Sequence, residues 1–442
     1  MKRRNIMLQL TALILLAMFA VLCTSPAFAT GEEPDDEELP VVLLTQEQDE
    51  TAANAPAGEM ATDVAAEASA NPHETIAETV QENARFTAPQ LELPCRNALL
   101  ISIDTGDILY EKEPDAEVPM ASITKVMTLL LTLEAVEAGK ISMADIVPIS
   151  EHAFNMGGSQ IWLEPGEQFT LDELIKAICV CSANDAAVAV AEYVGGSEPV
   201  FAEMMNARAA ELGMTHTHFV NACGLDAPNH SSSARDVAIM SLALLRHPKI
   251  LEYSGIWMDT LRGGQTQLTN TNKLLKSYAG ITGLKTGTTN GAGVCISASA
   301  VRDGMGLLAV VLGSPSSQER FTAARTLLDY GFASFEAGGM PEIAGWAEIL
   351  PVTGGVESEA ALVYTVPEKL LLKKGEGQTL TATVTLPQQL KAPVLAGTQV
   401  GTVTLKAGEE VLGEYPVTTR DAVPQMDWST ALSLFLKALF TL

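Results

Sequence analysis

The sequence has few positive charges for its size. Its 442 residues include 27 Lys and Arg against 54 Asp and Glu, which gives a formal net charge of −27 at pH 7. Proteins that bind nucleic acids use a basic face to neutralise phosphates. The composition therefore argues against a nucleic acid as a partner.

Cysteine is scarce as well, and its spacing is irregular. Cys23 lies in the apolar N-terminal segment, and the other five are Cys95, Cys179, Cys181, Cys223 and Cys295. An odd and scattered set fits neither a disulfide framework nor the paired ligands of a zinc site. We therefore expect free thiols, buried at positions 179 and 181, and we predict no metal site and no cofactor.

The N-terminus carries the three parts of a secretory signal. A Lys-Arg-Arg start precedes an apolar run from about Leu8 to Leu22, and Ala27-Phe28-Ala29 ends the segment. This pattern predicts a signal peptide over residues 1–29, so that the mature protein is exported and works outside the cytoplasmic membrane. The alternatives are a retained N-terminal membrane helix or lipidation at Cys23.

Residues 30–85 lack the apolar side chains that a folded core needs. The segment contains about fifteen acidic residues and almost no bases. Such a chain buries too little surface to offset the entropy lost on ordering. It predicts a disordered acidic spacer, after which about 350 residues remain for a large domain and a small one.

The large domain, over residues 86–340, shows strand patterns at both ends and helical patterns between them. The strand patterns cover residues 97–114 and 293–313, and the helical patterns cover 122–138, 171–194, 199–212 and 318–335. Strands at both ends with helices between them predict an α+β layered domain.

The C-terminal part of the chain has a different sequence pattern. Residues 343–424 alternate Val, Leu, Thr and Tyr between Gly and Pro, which predicts a small all-β domain. Residues 425–442 place Trp428, Phe435 and other apolar side chains on an amphipathic helix that is too short to span a bilayer. We expect this helix to lie on the outer face of the cytoplasmic membrane; the alternative is a helix packed on the protein's own surface.

The segment ASITKV places Ser122 three residues before Lys125 at the start of a helical pattern. On a helix the two side chains share a face, and the first main-chain N–H groups lack partners. A serine hydroxyl becomes a nucleophile when a base takes its proton, and Lys125 can do so if its pKa falls from about 10.4 to about 7 or 8. The alternative is a serine that only caps the helix.

Two later motifs fit that chemistry. Lys285-Thr286-Gly287 precedes a predicted strand and offers a second cation to lower the pKa of Lys125. Ser182-Ala183-Asn184 adds a hydroxyl and an amide. Each motif is weak alone, but Ser-x-x-Lys, Ser-x-Asn and Lys-Thr-Gly in this order are closely related to the motif set of penicillin-binding proteins and class A β-lactamases.

Longer segments strengthen the resemblance. From about residue 88 onward the chain resembles low-molecular-mass penicillin-binding proteins of the serine-type D-alanyl-D-alanine carboxypeptidase family, through SITK, GGSQIWLEPGEQFT, SANDAA, NACGLDAPNHSSSARD and KTGTTNGAG. The resemblance implies a penicillin-binding/β-lactamase-like domain, an antiparallel sheet with flanking helices and a helical subdomain, before the small β domain. It also implies a peptidoglycan stem peptide ending in D-Ala-D-Ala as substrate and β-lactam antibiotics as covalent inhibitors.

Roles for individual residues follow from the same resemblance. Ser122 would be the acylating nucleophile, Lys125 its base, and Ser182 a relay of protons to the leaving D-alanine. Asn184 would hold the substrate amide. Lys285 would bind the terminal carboxylate and lower the pKa of Lys125.

The carboxylate site would continue along the same segment. Thr286 and Gly287 are expected to bind substrate there, and the main-chain N–H groups of Ser122 and Thr288 would hold the oxyanion. Family members often carry His at the position of Thr288, a difference that bears on specificity. Arg320 corresponds to an arginine near the carboxylate pocket; the alternative is a solvated charge at a helix start.

Several functions stay open at this stage. The leading one is a D-Ala-D-Ala carboxypeptidase, and a D,D-endopeptidase acting on cross-links would share every motif. A class A-like β-lactamase is disfavoured because no Glu-x-x-Leu-Asn follows Ser182, and an inactive wall-binding protein because the polar site residues are intact. We expect His230 and Asp236 to be structural rather than catalytic.

Overall fold

A computed structural model describes residues 80–82, 86 and 88–440. The predicted signal peptide and most of the predicted spacer lie outside the described residues. Val80 is buried, and Gln81 and Glu82 pair in parallel with Asp107 and Ile108. The folded part therefore begins inside the range that the sequence pattern assigns to the spacer.

The main domain is built on strands that come from its two ends. In chain order its strands are β1 (Gln81–Glu82), β2 (Asn97–Ser102), β3 (Asp107–Lys112), β4 (Ile146–Val147), β5 (Phe169–Thr170), β6 (Met258–Leu261), β7 (Thr266–Thr269), β8 (Lys285–Thr289), β9 (Gly293–Arg302) and β10 (Met305–Ser314). Six of them form one sheet in the order β1-β3-β2-β10-β9-β8. Apart from the short parallel β1, neighbouring strands are antiparallel.

The β9–β10 hairpin shows why the sheet has this register. Arg302 pairs with Met305, so that Asp303 and Gly304 form a two-residue turn. Both turn residues have positive φ, 50° and 78°, which a type I′ turn requires and which Asp-Gly adopts readily.

Helices fill the sequence between the strands. They are α1 (Lys125–Glu137), α2 (Glu151–Phe154), α3 (Leu171–Val180), α4 (Asn184–Gly195), α5 (Glu198–Glu211), α6 (Ala234–Leu245), α7 (Ile250–Ser254), α8 (Leu274–Ser277) and α9 (Ser317–Ser334). Helices α1, α3, α4 and α6 share one large apolar core, whereas α9 packs with the sheet in a second core. The predicted α+β layered domain is confirmed.

Two predicted helices differ from the observed ones in a way that matters for the site. The helix predicted over 122–138 is observed as a 3-10 turn, Ala121–Thr124, followed by α1. The pattern over 171–194 is broken between α3 and α4, where Ser182 has a φ of 64°. Both irregular points carry predicted site residues, as strained backbone at functional sites often does.

The C-terminal domain is all β, as predicted. Its strands are β11 (Phe335–Gly339), β12 (Ile343–Ala344), β13 (Ile349–Thr353), β14 (Glu359–Tyr364), β15 (Lys369–Lys373), β16 (Leu380–Thr385), β17 (Leu390–Lys391), β18 (Gln399–Ala407) and β19 (Glu410–Thr419). Seven of them form one sheet, and β11 pairs with β15. Strand β11 thus takes residues from the range predicted for the first domain.

A helix, α10 (Trp428–Phe440), follows the β domain. Within it Trp428 is 81% exposed and Phe435 is 63% exposed. The interpretation of a helix packed on the protein's own surface does not agree with this exposure. Among the described helices, none has both the length and the hydropathy needed to cross a membrane.

Candidate active site

Ser122 lies in the 3-10 turn Ala121–Thr124, which packs against β8 and β9. Ala121 has a φ of 50°, and no side-chain cap is formed at this helix start. The N-cap interpretation of Ser122 is therefore wrong, because Thr124 occupies the N-cap position of α1. Within the described part of the chain the Ser122 N–H makes no hydrogen bond, so it is available to a ligand.

Lys125 is fully buried, and its Nζ has three close neighbours. It lies 2.8 Å from Ser122 Oγ, 2.6 Å from Asn184 Oδ1 and 2.6 Å from the Cys223 carbonyl oxygen. The last two atoms can only accept hydrogen bonds. A neutral amine has two N–H groups and one lone pair, so satisfying both acceptors leaves the lone pair facing the Ser122 hydroxyl.

The electrostatics of the two buried lysines raise the neutral fraction of each amine. Burial lowers the pKa of Lys125 to about 8. Burial also lowers the pKa of Lys285 well below its ordinary value, and repulsion from the Lys125 charge adds to that shift. Burial is the main cause of the low pKa of Lys125. Because the repulsion between the two lysines is mutual, the contribution of Lys285 to that low pKa stays a prediction.

Ser182 and Asn184 lie at the break between α3 and α4. Ser182 Oγ accepts a hydrogen bond from Lys285 Nζ at 2.8 Å. The Asn184 amide bonds Lys125 through Oδ1 and donates from Nδ2 to the Gly157 carbonyl at 2.7 Å. Asn184 therefore orients Lys125, and its contact with a substrate amide stays a prediction.

Strand β8 is formed by the Lys-Thr-Gly motif itself, at the edge of the sheet, rather than following the motif. Lys285 and Thr286 are buried, whereas Thr288 is exposed. The Thr286 hydroxyl lies 2.6 Å from that of Thr271, a residue that carried no recognisable signal in the sequence. The edge strand thus lies beside Ser122 with its outer main-chain groups available to a peptide.

Gly287 permits this close approach. A Cβ at position 287 would lie 2.9 Å from Ser122 N and 3.1 Å from Ile123 N. Gly224 supports the same turn from another side, since a Cβ there would lie 2.0 Å from the Ala121 carbonyl oxygen. Side chains at either glycine would push the serine turn out of place.

Arg320 is 5% exposed, so the interpretation of a solvated charge is wrong. Its guanidinium donates to the carbonyl oxygens of Gly287 at 3.4 Å and Cys295 at 3.2 Å, and to Ser317 Oγ at 3.1 Å. Burial lowers its pKa to about 10. The side chain bonds the main chain of β8 and β9, and direct contact with a carboxylate stays a prediction.

His230 lies close to the serine turn without entering the reaction centre. Its Nδ1 accepts from the Val220 N–H at 2.9 Å, so its Nε2 carries the hydrogen toward Thr124 Oγ1 at 2.7 Å. Thr124 in turn donates to the Ala121 carbonyl at 2.9 Å. Burial lowers the pKa of His230 to about 4, which keeps this chain of hydrogen bonds neutral.

Asp236 has a structural role, as expected, because it accepts hydrogen bonds from the His216 N–H and the Thr217 hydroxyl.

Asp185 was missed by the sequence reasoning, although an acid beside Asn184 in an apolar segment was a signal. Its buried carboxylate accepts from the N–H groups of Ile161 and Leu163 at 3.1 Å. It thereby fixes the loop around residues 160–167, which lies before α3 and the Ser-x-Asn motif.

The described cysteines are free thiols, and Cys179, Cys223 and Cys295 are buried. Cys181 is only partly buried because it ends α3 beside Ser182, contrary to the expectation of burial. Among the described residues, no group of His, Cys, Asp and Glu side chains is arranged to hold a metal ion.

Comparison with known proteins agrees with this geometry. Residues 83–316 match the model of the D-alanyl-D-alanine carboxypeptidase family, and residues 347–425 match that of the C-terminal domain of penicillin-binding protein 5. The chain is 39% identical to the D-alanyl-D-alanine carboxypeptidase DacF of Bacillus subtilis, over 78% of this chain and 89% of that protein. It is 34% identical to DacC of Escherichia coli, over 77% and 88% of the two chains.

Solved structures of similar proteins belong to the same family. Penicillin-binding protein 5 from Haemophilus influenzae is 29% identical, with a TM-score of 0.69 over 76% of this chain and 99% of that one. Penicillin-binding protein 6B from Escherichia coli is 30% identical, with a TM-score of 0.64 over 76% and 98%. The chain therefore belongs to the D-alanyl-D-alanine carboxypeptidase family of low-molecular-mass penicillin-binding proteins. Within that family it is a serine-type D-Ala-D-Ala carboxypeptidase, a hydrolase.

Replacing Gly287 by Ala tests the packing of β8 against the serine turn. Because the new Cβ would meet main-chain nitrogen rather than a flexible side chain, the turn or the strand must shift. A displacement of this kind can lower turnover by roughly a hundredfold. We expect that loss in kcat/KM on a peptide ending in D-Ala-D-Ala.

Gly339→Ala is the matched control, because an added Cβ at this strand glycine meets no atom within 4 Å. Its activity should equal that of the wild type. Unchanged activity of Gly287→Ala would contradict the close packing described here.

Proposed function

We propose that the protein is exported and removes the terminal D-alanine from peptidoglycan stem peptides through an acyl-enzyme at Ser122. The observation that carries this proposal is the position of Lys125 Nζ, 2.8 Å from Ser122 Oγ with its other two contacts occupied by acceptors. A neutral lysine in this arrangement is a base for the serine hydroxyl.

In the first step Ser122 Oγ attacks the carbonyl carbon of the penultimate D-alanine while its proton passes to Lys125. The resulting oxyanion is held by the main-chain N–H groups of Ser122 and Thr288. Each such donor typically contributes about 3 kcal/mol to stabilising the transition state. The free Ser122 N–H and the exposed edge position of Thr288 support this assignment.

In the second step the peptide bond breaks and the leaving nitrogen takes a proton. The proton is the one that Lys125 took from Ser122, and Ser182 relays it to the nitrogen. The Ser182 hydroxyl lies 2.8 Å from Lys285 Nζ on one wall of the site. Water then hydrolyses the ester, and Lys125 serves again as the base. The released products are D-alanine and the shortened stem peptide.

The substrate carboxylate binds along β8. Lys285 and Thr286 provide an N–H donor and a hydroxyl, and Gly287 lets the strand approach Ser122. Burial lowers the pKa of Lys285, but the negative charge of a bound carboxylate favours its charged form. Arg320 supports the strand through the Gly287 carbonyl and adds positive charge to this end of the site. Asn184 holds the substrate amide with the Nδ2 hydrogen that Gly157 leaves free. The same contacts fit a β-lactam, which would acylate Ser122.

The C-terminal helix α10 attaches the mature protein to the outer face of the cytoplasmic membrane. Exposed apolar side chains support this part of the proposal, namely Trp428, Leu432, Leu434, Phe435 and Leu436. Side chains of this kind bury an apolar face at the headgroup boundary without crossing the bilayer. The helix thus holds the catalytic domain near newly exported wall material.

Acylation is tested with purified protein lacking residues 1–29, as wild type and as Ser122→Ala. We expect the wild type to release D-alanine from a Lys-D-Ala-D-Ala peptide and to bind labelled penicillin at one per chain. The variant should do neither, because it lacks the attacking oxygen.

Ser277→Ala is the control, since this exposed serine lies on α8 outside the site. Labelling of the Ser122 variant at the wild-type level, or release of D-alanine by it, would overturn the assignment.

Membrane attachment is tested by exchanging exposed apolar residues for acids. Trp428→Glu with Phe435→Glu should move the processed protein from the membrane fraction to the soluble fraction, because both side chains would be buried in the headgroup region. Val411→Glu, at an exposed apolar position of the β domain, should leave it in the membrane fraction. If the double variant sediments with membranes as the wild type does, α10 is not the anchor.

A further inference from the structure

A cavity lies beside the active site, on the side of the Ser-x-Asn motif. It has a volume of about 600 Å³ and lies between the loop around Gln160–Glu167 and the β6–β7 hairpin. Cys181, which precedes Ser182, lines it. Asn184 N donates to the carbonyl of Ser159, the residue before Gln160, at 2.7 Å. The cavity is thus connected to the site through two adjacent chain segments.

Trp162 projects from this loop. It is 74% exposed and has a φ of 58°, a left-handed conformation that is costly for a side chain of this size. The residues on both sides point inward, where Asp185 accepts from the N–H groups of Ile161 and Leu163. The fold therefore holds a large apolar ring in solvent at some cost in free energy.

Arg262 fixes the same loop from the hairpin side. Its guanidinium donates to Glu167 at 2.7 and 2.8 Å and to the carbonyl oxygens of Ile161 and Trp162 at 2.8 and 2.9 Å. Arg262 itself has a positive φ of 50°. Two strained residues and a network of charge-assisted bonds make the indole a preorganised surface rather than a loose loop tip.

The remaining polar side chains of the cavity are amides, the Thr266 hydroxyl and the exposed carboxylate of Glu164. Gln160, Gln265 and Gln267 line it, and within the described residues their side-chain amides make no hydrogen bond. The charges of Arg262 and Glu167 are paired with each other. Amides can donate and accept, so the cavity offers both kinds of partner beside one aromatic face.

We propose that this cavity binds a saccharide ring of peptidoglycan. A pyranose has an apolar C–H face that packs on an indole and a rim of hydroxyl and amide groups that hydrogen-bond to glutamine side chains. The proposal rests on the proposed function for the nature of the polymer. It makes Trp162 a recognition residue for the glycan that carries the stem peptide.

The test compares two substrates, a free pentapeptide ending in Lys-D-Ala-D-Ala and the same peptide attached to the N-acetylglucosamine–N-acetylmuramic acid disaccharide. The wild type should have the higher kcat/KM on the disaccharide form. Trp162→Ala should lower that value by roughly three- to tenfold, as expected for one aromatic contact, and leave the free peptide unchanged. A Gln265→Ala, Gln267→Ala double variant should act in the same direction.

Trp346→Ala is the matched control, because this tryptophan is 52% exposed but lies in the C-terminal domain. It should change neither value. An equal loss on both substrates for Trp162→Ala would mean that the residue only supports the Ser-x-Asn wall, and no loss on either would remove it from recognition. Either result overturns the saccharide site.

Binding of the free disaccharide to Ser122→Ala, followed by the indole N–H resonance of Trp162, separates this inference from the proposed function. We expect the resonance to shift on titration, and an unperturbed resonance would overturn the saccharide site. If the wild type releases D-alanine from neither substrate, the proposed function fails, while the titration still decides the saccharide site.

Discussion

The buried amine of Lys125 is the interaction on which the rest of the site depends. A lysine in an apolar core is stable when its hydrogen-bond partners are complete, and here Asn184 Oδ1 and the Cys223 carbonyl complete them. Both partners accept, so the direction of the lone pair toward Ser122 follows from their geometry. Burial then lowers the pKa of Lys125 to about 8, so that about a tenth of the amine is neutral at pH 7, against less than about a thousandth for an ordinary lysine.

Several irregular parts of the fold bring other site residues next to Lys125. The 3-10 turn before α1 presents Ser122 beside the lysine, and the break between α3 and α4 brings Ser182 and Asn184 to the same place. Gly287 and Gly224 leave room for the turn, and His230 secures it through Thr124. Two of the described non-glycine residues with positive φ, Ala121 and Ser182, therefore lie where the reaction is proposed to occur.

Much of this could be predicted from the sequence. The Asp-Gly hairpin, the alternating strands of the C-terminal domain and the three short motifs have strong local signals. The breaks in the helices do not, because helical periodicity continues through Ser122 and Ser182 and only tertiary contacts interrupt it. The same holds for Cys223, which acts through its carbonyl, and for Arg320, whose burial depends on β8 and β9 packing nearby.

The central claim is that Lys125 acts as a neutral base, and the pH dependence of acylation tests it most directly. The measurement is the second-order rate constant for labelling of Ser122 by penicillin between pH 5 and about 10. Since only the neutral amine accepts the proton, the rate should rise about tenfold per pH unit below the pKa and level off above about 8. A rate that keeps rising to about pH 10, as an ordinary lysine would give, or one that is flat throughout, would contradict it.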